Sequence, residues 1–149
     1  MKKTRNTAFA VELLALFALM LFLAVTVTRT MMKARSMSIS AEQLTRAVTL
    51  AEEAAEAAMA ADDAAEAKAL LSKLANVQTM RETGEGCELW MEAQSSEGKT
   101  EIYRVTLDFS EEKQAEGLFL AEEIRVYNEQ ESEPLYTLNA GAYKGVRAQ

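Results

Sequence analysis

Apolar residues dominate the start of the chain in one nearly uninterrupted run. The segment FAVELLALFALMLFLAV, residues 9–25, contains a single charge, Glu12. Residues 8–28 form a stretch of 21 residues with that one charge, and an α-helix of this length extends about 31 Å, which matches the apolar core of a bilayer. A buried helix of this kind needs a much larger protein around it, and a cleaved secretory signal has a shorter apolar run. The pattern therefore predicts a retained transmembrane helix over residues 8–28, after a basic leader over residues 1–7.

Beyond residue 28 the pattern becomes amphipathic, and no Gly or Pro ends the helix. The segment SAEQLTRAVTLAEEAAEAAMA is rich in the helix formers Ala, Glu and Leu. Its apolar residues recur at helical spacing on one face, namely Leu44, Val48, Ala51, Ala55 and Ala58. Asp62 and Asp63 then interrupt the pattern and supply the N-cap of a second, shorter helix. The sequence predicts one helix from about residue 6 to residue 60, and a helical stalk over residues 29–83 with a break near residues 61–63.

From residue 84 the period of the apolar residues changes to two, which is typical of β-strands. One run includes Cys87, Leu89 and Met91, and the turn SSEG separates it from a second run around Val105 and Leu107. The acidic segment SEEKQAEG is predicted to be a loop before a third strand, residues 118–128. In that strand the adjacent acids at positions 122 and 123 disturb the alternation and suggest a β-bulge. A fourth strand is predicted over residues 135–143.

These elements together predict an α+β fold. Short connections with no helix between the strands favour an antiparallel meander of about four strands over residues 84–149. We expect the long N-terminal helix, membrane-spanning and then amphipathic, to pack on one face of this sheet, and the other face to meet water.

Charge is divided unequally along the chain. Residues 1–40 carry six basic residues against Glu12, a net charge of +5, and residues 41–149 carry ten basic and 22 acidic residues, a net charge of −12. The basic residues flank the apolar run, where anionic lipid headgroups attract them. The strongly negative charge of residues 41–149 argues against nucleic-acid binding through a basic patch. The flanking charges are nearly balanced, but the short leader favours a cytoplasmic N-terminus and an extracytoplasmic C-terminal domain in the cell membrane.

The residues of common catalytic and metal sites are scarce. The chain has no histidine and one cysteine, Cys87, which is interpreted as a core or strand residue. Trp90 and the tyrosines are open to two interpretations, a sugar- or partner-binding surface or half-buried strand aromatics, and the second is the commoner case. Six acidic residues form two clusters in the sequence: Glu52, Glu53 and Glu56, then Asp62, Asp63 and Glu66. These clusters lack the ligand pattern of a calcium loop and are better explained as a solvated helix face and a helix cap. We expect no enzymatic activity, no cofactor and no metal site.

A short basic leader, an apolar helix with an acid near its start, an amphipathic continuation and a small antiparallel sheet stand together in this chain. This arrangement, and the segment AVELLALFALMLFLAV in particular, resembles the type IV pilin-like proteins, especially the minor pilins and pseudopilins of Gram-positive bacteria. The resemblance extends over most of the chain, including LTRAVTLAEEAAE and the C-terminal strands. It implies a membrane-embedded protein that assembles with other pilin-like subunits.

The resemblance also implies roles for particular residues. In the family a prepilin peptidase cuts after a glycine, and the fifth residue of the mature chain is a glutamate thought to meet the amino terminus of a neighbouring subunit. Glu12 matches this glutamate, which makes Ala8 the first mature residue and Phe9 the second. Thr7 stands where the family has glycine. Glu12 is thus the expected assembly residue, residues 7–9 mark the expected leader cleavage, and the peptidase and assembly machinery are the implied partners.

Two hypotheses of function follow. The first is a pilin-like structural subunit of a secretion, adhesion or DNA-uptake filament. The second is a solitary, single-pass, membrane-tethered module that binds or senses a partner outside the cytoplasm. Only the first requires Glu12 to pair with a neighbour. The second leaves Glu12 at the membrane interface, where the start of a helix favours an acid.

Overall fold

The computed structural model describes the backbone of residues 2–114, 117–129 and 131–145, and the side chains of residues 9–112, 119–129 and 131–143. The chain forms two compact units that divide between Ala41 and Glu42. The N-terminal unit (residues 1–41) is helical throughout its described part. The second unit, here called the head (residues 42–149), contains the end of the same helix, a short helix and an antiparallel sheet. The predicted α+β class is confirmed.

Two helices precede the sheet. Helix α1 is Lys2–Met59 and helix α2 is Ala64–Leu71. Asp63 is the N-cap of α2, because its side chain accepts a hydrogen bond of 2.7 Å from the backbone N–H of Glu66. The Glu66 carboxylate in turn accepts the backbone N–H of Asp62 at 2.7 Å, in the manner of a capping box. The predicted break and its cap are confirmed.

The sheet has five strands, one more than predicted, in the spatial order β1-β2-β3-β4-β5 with every neighbouring pair antiparallel. Their bounds are β1 Val77–Glu82, β2 Gly86–Gln94, β3 Thr100–Gln114, β4 Gly117–Asn128 and β5 Tyr136–Gly145. The additional strand is β1, which lies inside the segment predicted to be helical stalk. It shows no period of two because it is an edge strand, in which a register shift follows Val77 and only Val77 and Met80 are half-buried.

The core of the head lies between the helices and one face of the sheet. The fully buried positions of α1 are mostly alanines, so small side chains line the helix side of the core. The buried face runs through Ala47, Leu50, Ala51, Ala54, Ala55 and Ala58. It is therefore rotated from the predicted face, since Leu44 is exposed and Val48 is half-buried. The sheet contributes alternate residues of β2, β3 and β4, including Leu89, Val105 and Ile124.

Two predictions about the third and fourth strands were wrong. The segment SEEKQAEG is not a loop from its start, because β3 and β4 stay in register from Ser110 opposite Ala121 to Gln114 opposite Gly117. Residues 115 and 116 lie outside the described backbone. Strands β3 and β4 thus extend beyond the core. In this extension the adjacent acids Glu111 and Glu112 are both exposed to solvent. No bulge occurs at Glu122 either, because the pairing on both sides of β4 runs through it without a shift.

Candidate functional site

The N-terminal unit exposes an apolar surface. Every large apolar side chain between Phe9 and Val27 is at least half exposed in the isolated chain. In the part of the chain that the structure describes, α1 is the one helix long and apolar enough to cross a membrane. Exposed apolar area of this extent is not stable in water. The helix near the N-terminus therefore indicates a single-pass membrane anchor.

The few hydroxyl groups of this surface are satisfied within the helix. The side chains of Thr26, Thr28 and Thr30 each donate a hydrogen bond of 2.8 to 2.9 Å to the carbonyl oxygen four residues earlier. Such bonds matter in hydrocarbon, because an unsatisfied hydroxyl there has no water partner. Residues 13–28 thus present a continuous apolar surface to their surroundings.

Glu12 lies inside this surface. Its side chain is exposed and is flanked by Val11 and Leu13, which are 68% and 59% exposed. Among the side chains described from residue 9 onward, none donates a hydrogen bond or forms an ion pair with Glu12. Ala8 is helical and lies one turn before Glu12, on the same face of α1. The side chains of Thr7 and Ala8 lie outside the described residues, and that of Phe9 is exposed.

In the head, one arginine joins the helix to the sheet. The Arg46 guanidinium forms ion pairs with Glu42 in α1 and with Glu101 in β3, and it also donates to the Tyr103 hydroxyl at 3.4 Å. Tyr103 donates to Glu101 at 2.9 Å, and the backbone N–H of Ser96 donates to Glu42 at 2.6 Å. The hydrogen bonds from Ser96 and Arg46 lower the pKa of Glu42 to about 2. This network fixes the first helical turn of the head against the β2–β3 turn and β3.

A buried acid on β4 contrasts with that network. Glu122 is 4% exposed, and neither carboxylate oxygen has a hydrogen-bond partner among the described residues. It lies between Phe109 of β3 and Ala140 of β5 in the sheet register. Burial raises the pKa of Glu122 to about 7. The residue pattern predicted a β-bulge at this position rather than a buried acid.

The remaining candidate residues have structural positions. Cys87 is buried in β2, as predicted, and burial raises the pKa of its thiol to about 11, so little of the reactive thiolate forms at neutral pH. Trp90 is half-buried on the sheet face that points away from the helices, directly opposite Arg104. Arg104 stacks over the Tyr127 ring at 4.5 Å from its centroid. In the described part of the chain, no group of three or more acidic, cysteine or histidine side chains is arranged to hold a metal ion.

The site geometry therefore consists of an exposed apolar helix and a head. The helix contains one acid, Glu12, that has no partner among the described side chains, and polar contacts within the head secure its helix to its sheet. Comparison with known proteins adds no family to this description: no family model matches the chain, and neither a curated protein nor a solved structure matches it.

Proposed function

We propose that this protein is a membrane-anchored, pilin-like structural subunit, a minor pilin or pseudopilin, of a secretion, adhesion or DNA-uptake filament. The observation that carries the proposal is the character of α1. From Phe9 to Val27 this continuous helix is apolar and exposed, and Glu12 is the one acid of that segment. From Ala47 onward the same helix contributes to the core of the sheet domain. We place its N-terminus in the cytoplasm and its head outside the cell membrane.

The role of Glu12 follows from the chemistry of a charge in hydrocarbon. A carboxylate in an apolar environment is unfavourable unless an opposite charge pairs with it. Within one copy, the described side chains give Glu12 no such partner. A free α-amino group at Ala8 of a neighbouring subunit would provide one, and removal of the leader by a prepilin peptidase would create that group. The pair would fix the register of neighbouring helices, the best-attested use of a buried polar pair.

The test compares Glu12→Ala and Glu12→Gln with the wild type. Both variants should insert into the membrane normally, because a charge near the apolar run is removed. Both should lose assembly, because the neighbour's ammonium group is left unpaired, at a cost of several kcal/mol. The matched control is Leu13→Ala, which removes an adjacent exposed side chain without changing charge. Subunit crosslinking in native membranes measures assembly, and mass spectrometry of the N-terminus measures cleavage before Ala8.

The two hypotheses give opposite results in this experiment. The filament subunit predicts a shortened N-terminus and a loss of crosslinking in both Glu12 variants but not in the Leu13 control. An intact Met1 together with unchanged crosslinking in Glu12→Ala contradicts the filament mechanism. That result leaves the solitary tethered module, in which Glu12 lies at the membrane interface.

A further inference from the structure

Strand β3 extends further than its neighbour β2. The pairing of β3 with β2 ends where Asp108 lies opposite Gly86, and one further hydrogen bond of 3.0 Å joins the Phe109 N–H to the carbonyl oxygen of Glu85. The pairing of β3 with β4 continues to the end of the strand. Among the described residues, positions 110–114 of β3 are therefore paired on the β4 side only. This unpaired edge is here called the β3 notch.

The β3 notch presents backbone groups to an incoming strand. In an antiparallel sheet the N–H and C=O groups of successive residues point to alternate sides of their strand. Because the Phe109 N–H points towards β2, the backbone groups of Glu111 and Lys113 point the same way, into the notch. No strand in the described part of the chain pairs with them on this side. Unpaired edges of this kind accept extended peptides through main-chain hydrogen bonds.

A cleft adjoins the β3 notch on the core face of the sheet. It has a volume of about 650 Å³, and it is lined by one side of α2, by two residues of β1 and by one residue of β3. Alanines of α2 and Met80 of β1 supply its apolar surface. Its charged residues are three acids, Asp63, Glu82 and Glu111, and one base, Lys68. The cleft thus has an excess of two negative charges.

A strand added at the notch would place a side chain in this cleft. The added strand would continue the line of β2, between β1 and β3. Glu111 lies on the core face, as Leu107 does, and its carboxylate accepts the backbone N–H of Ala64 at 3.4 Å. Directly opposite residues of adjacent strands project to the same face. The residue opposite Glu111 therefore enters the cleft, where the alkyl stem of a Lys or Arg packs on Met80 and its charge meets Glu82 and Glu111.

We propose that the β3 notch and the adjoining cleft bind an extended, basic peptide segment of a partner protein, which adds to β3 as a short strand and places a Lys or Arg in the cleft. Charge complementarity selects this occupant, because acids outnumber bases in the cleft and residues 41–149 carry a net charge of −12. The inference goes beyond the proposed function, since it gives the head a binding site of its own. It does not depend on Glu12.

Two short synthetic peptides test the occupant on the full-length protein in detergent. Both alternate Val and Thr, and they differ only at the central residue, which is Lys in one and Glu in the other. The Lys peptide should bind about fivefold more tightly, the scale of one exposed ion pair. It should also protect the backbone amides of Glu111 and Lys113 from hydrogen exchange, because they enter the new hydrogen bonds. Equal affinities, no binding by either peptide, or protection confined to β5 overturns the proposal.

Variants of the notch and of the cleft test the two contacts separately. Lys113→Pro removes the N–H that points into the notch and should weaken binding about fivefold or more, whereas the matched control Lys113→Ala keeps that N–H and should bind at least as tightly as the wild type. Glu82→Gln with Glu111→Gln should remove the advantage of the Lys peptide, and Glu88→Gln on the outer face of β2 should leave it unchanged.

Two results for these variants contradict the proposal. One is binding that Lys113→Pro does not weaken while the Ala control behaves as expected, and the other is an advantage of the Lys peptide that survives the loss of both cleft acids. Protection of Glu111 that rises with protein concentration in the absence of peptide would place a second copy at the notch, and it also overturns the assignment to a basic partner segment.

Discussion

At the scale of single residues, two adjacent acids on β4 have opposite environments. Glu122 points into the core with no partner among the described residues, while Glu123 points outward and forms an ion pair with Arg125 at 2.5 Å. Arg125 also pairs with Asp108 at 3.0 Å. Strand alternation places one acid of any adjacent pair on each face. The sequence could have predicted a buried acid from an unbroken period of two, but an inward acid is unfavourable enough that a bulge was the natural interpretation.

Replacing the buried acid tests its cost to stability. Glu122→Met keeps the approximate volume of the side chain and removes the carboxyl group. Burial makes the charged form of that carboxyl group unfavourable. The pKa of Glu122 is about 7 against an ordinary value of 4.5, so the variant should be more stable by up to about 3 kcal/mol above pH 7. Urea unfolding followed by the fluorescence of Trp90, the single tryptophan, measures this change in the head.

The control for this substitution is Glu123→Gln on the outer face, which removes an exposed ion pair and should change the free energy of unfolding by less than about 1 kcal/mol. If Glu122→Met lowers stability at pH 7.5, the carboxylate has a partner and the interpretation of an unpaired acid is wrong.

At the scale of elements, the residue pattern predicted helix and strand type well and the buried face of α1 in part. The four strands with clear alternation were found because each has one buried face, as Cys87, Leu89 and Met91 show in β2. The predicted buried face of α1 was correct at Ala51, Ala55 and Ala58 and wrong at Leu44 and Val48. The prediction placed these two larger side chains inward, whereas the buried face consists mostly of alanines. Glu12 stood out in the sequence because it is the one charge in the apolar run, whereas the Arg46 network depends on contacts across the fold that spacing does not reveal.

One glycine decides how closely β2 and β3 pair. A Cβ added to Gly86 would lie 1.9 Å from the carbonyl oxygen of Leu107, so the backbone must shift to accept any side chain. Gly86→Ala should therefore destabilise the head by about 2 kcal/mol or more. Gly84, two residues earlier, has no atom within 4 Å of an added Cβ. Gly84→Ala is the matched control and should stay within about 0.5 kcal/mol of the wild type. Equal urea midpoints for the two variants would contradict the close approach of the strands.

At the scale of the whole molecule, two acids give the stability of the head opposite dependences on pH. The pKa of Glu42 is lowered to about 2 by hydrogen bonds from Ser96 and Arg46, so its contribution is present above the ordinary value of 4.5 and is lost as the pH falls towards 2. The pKa of Glu122 is raised to about 7, so its unfavourable effect is absent below pH 4.5 and grows as the pH rises to 7.

The two dependences together predict maximum stability near pH 4.5 rather than at neutral pH. The negative net charge of the chain acts in the same direction, because partial protonation of its acids reduces repulsion. Urea unfolding of the full-length protein in detergent, followed through Trp90 at pH 3, 4.5, 6 and 7.5, measures the profile. Glu42→Gln should flatten only the acidic side, and Glu122→Met only the side between pH 4.5 and 7. A wild-type profile that rises steadily to pH 7.5 would show that Glu122 ionises without cost, and therefore that its carboxylate reaches water or a basic group in solution.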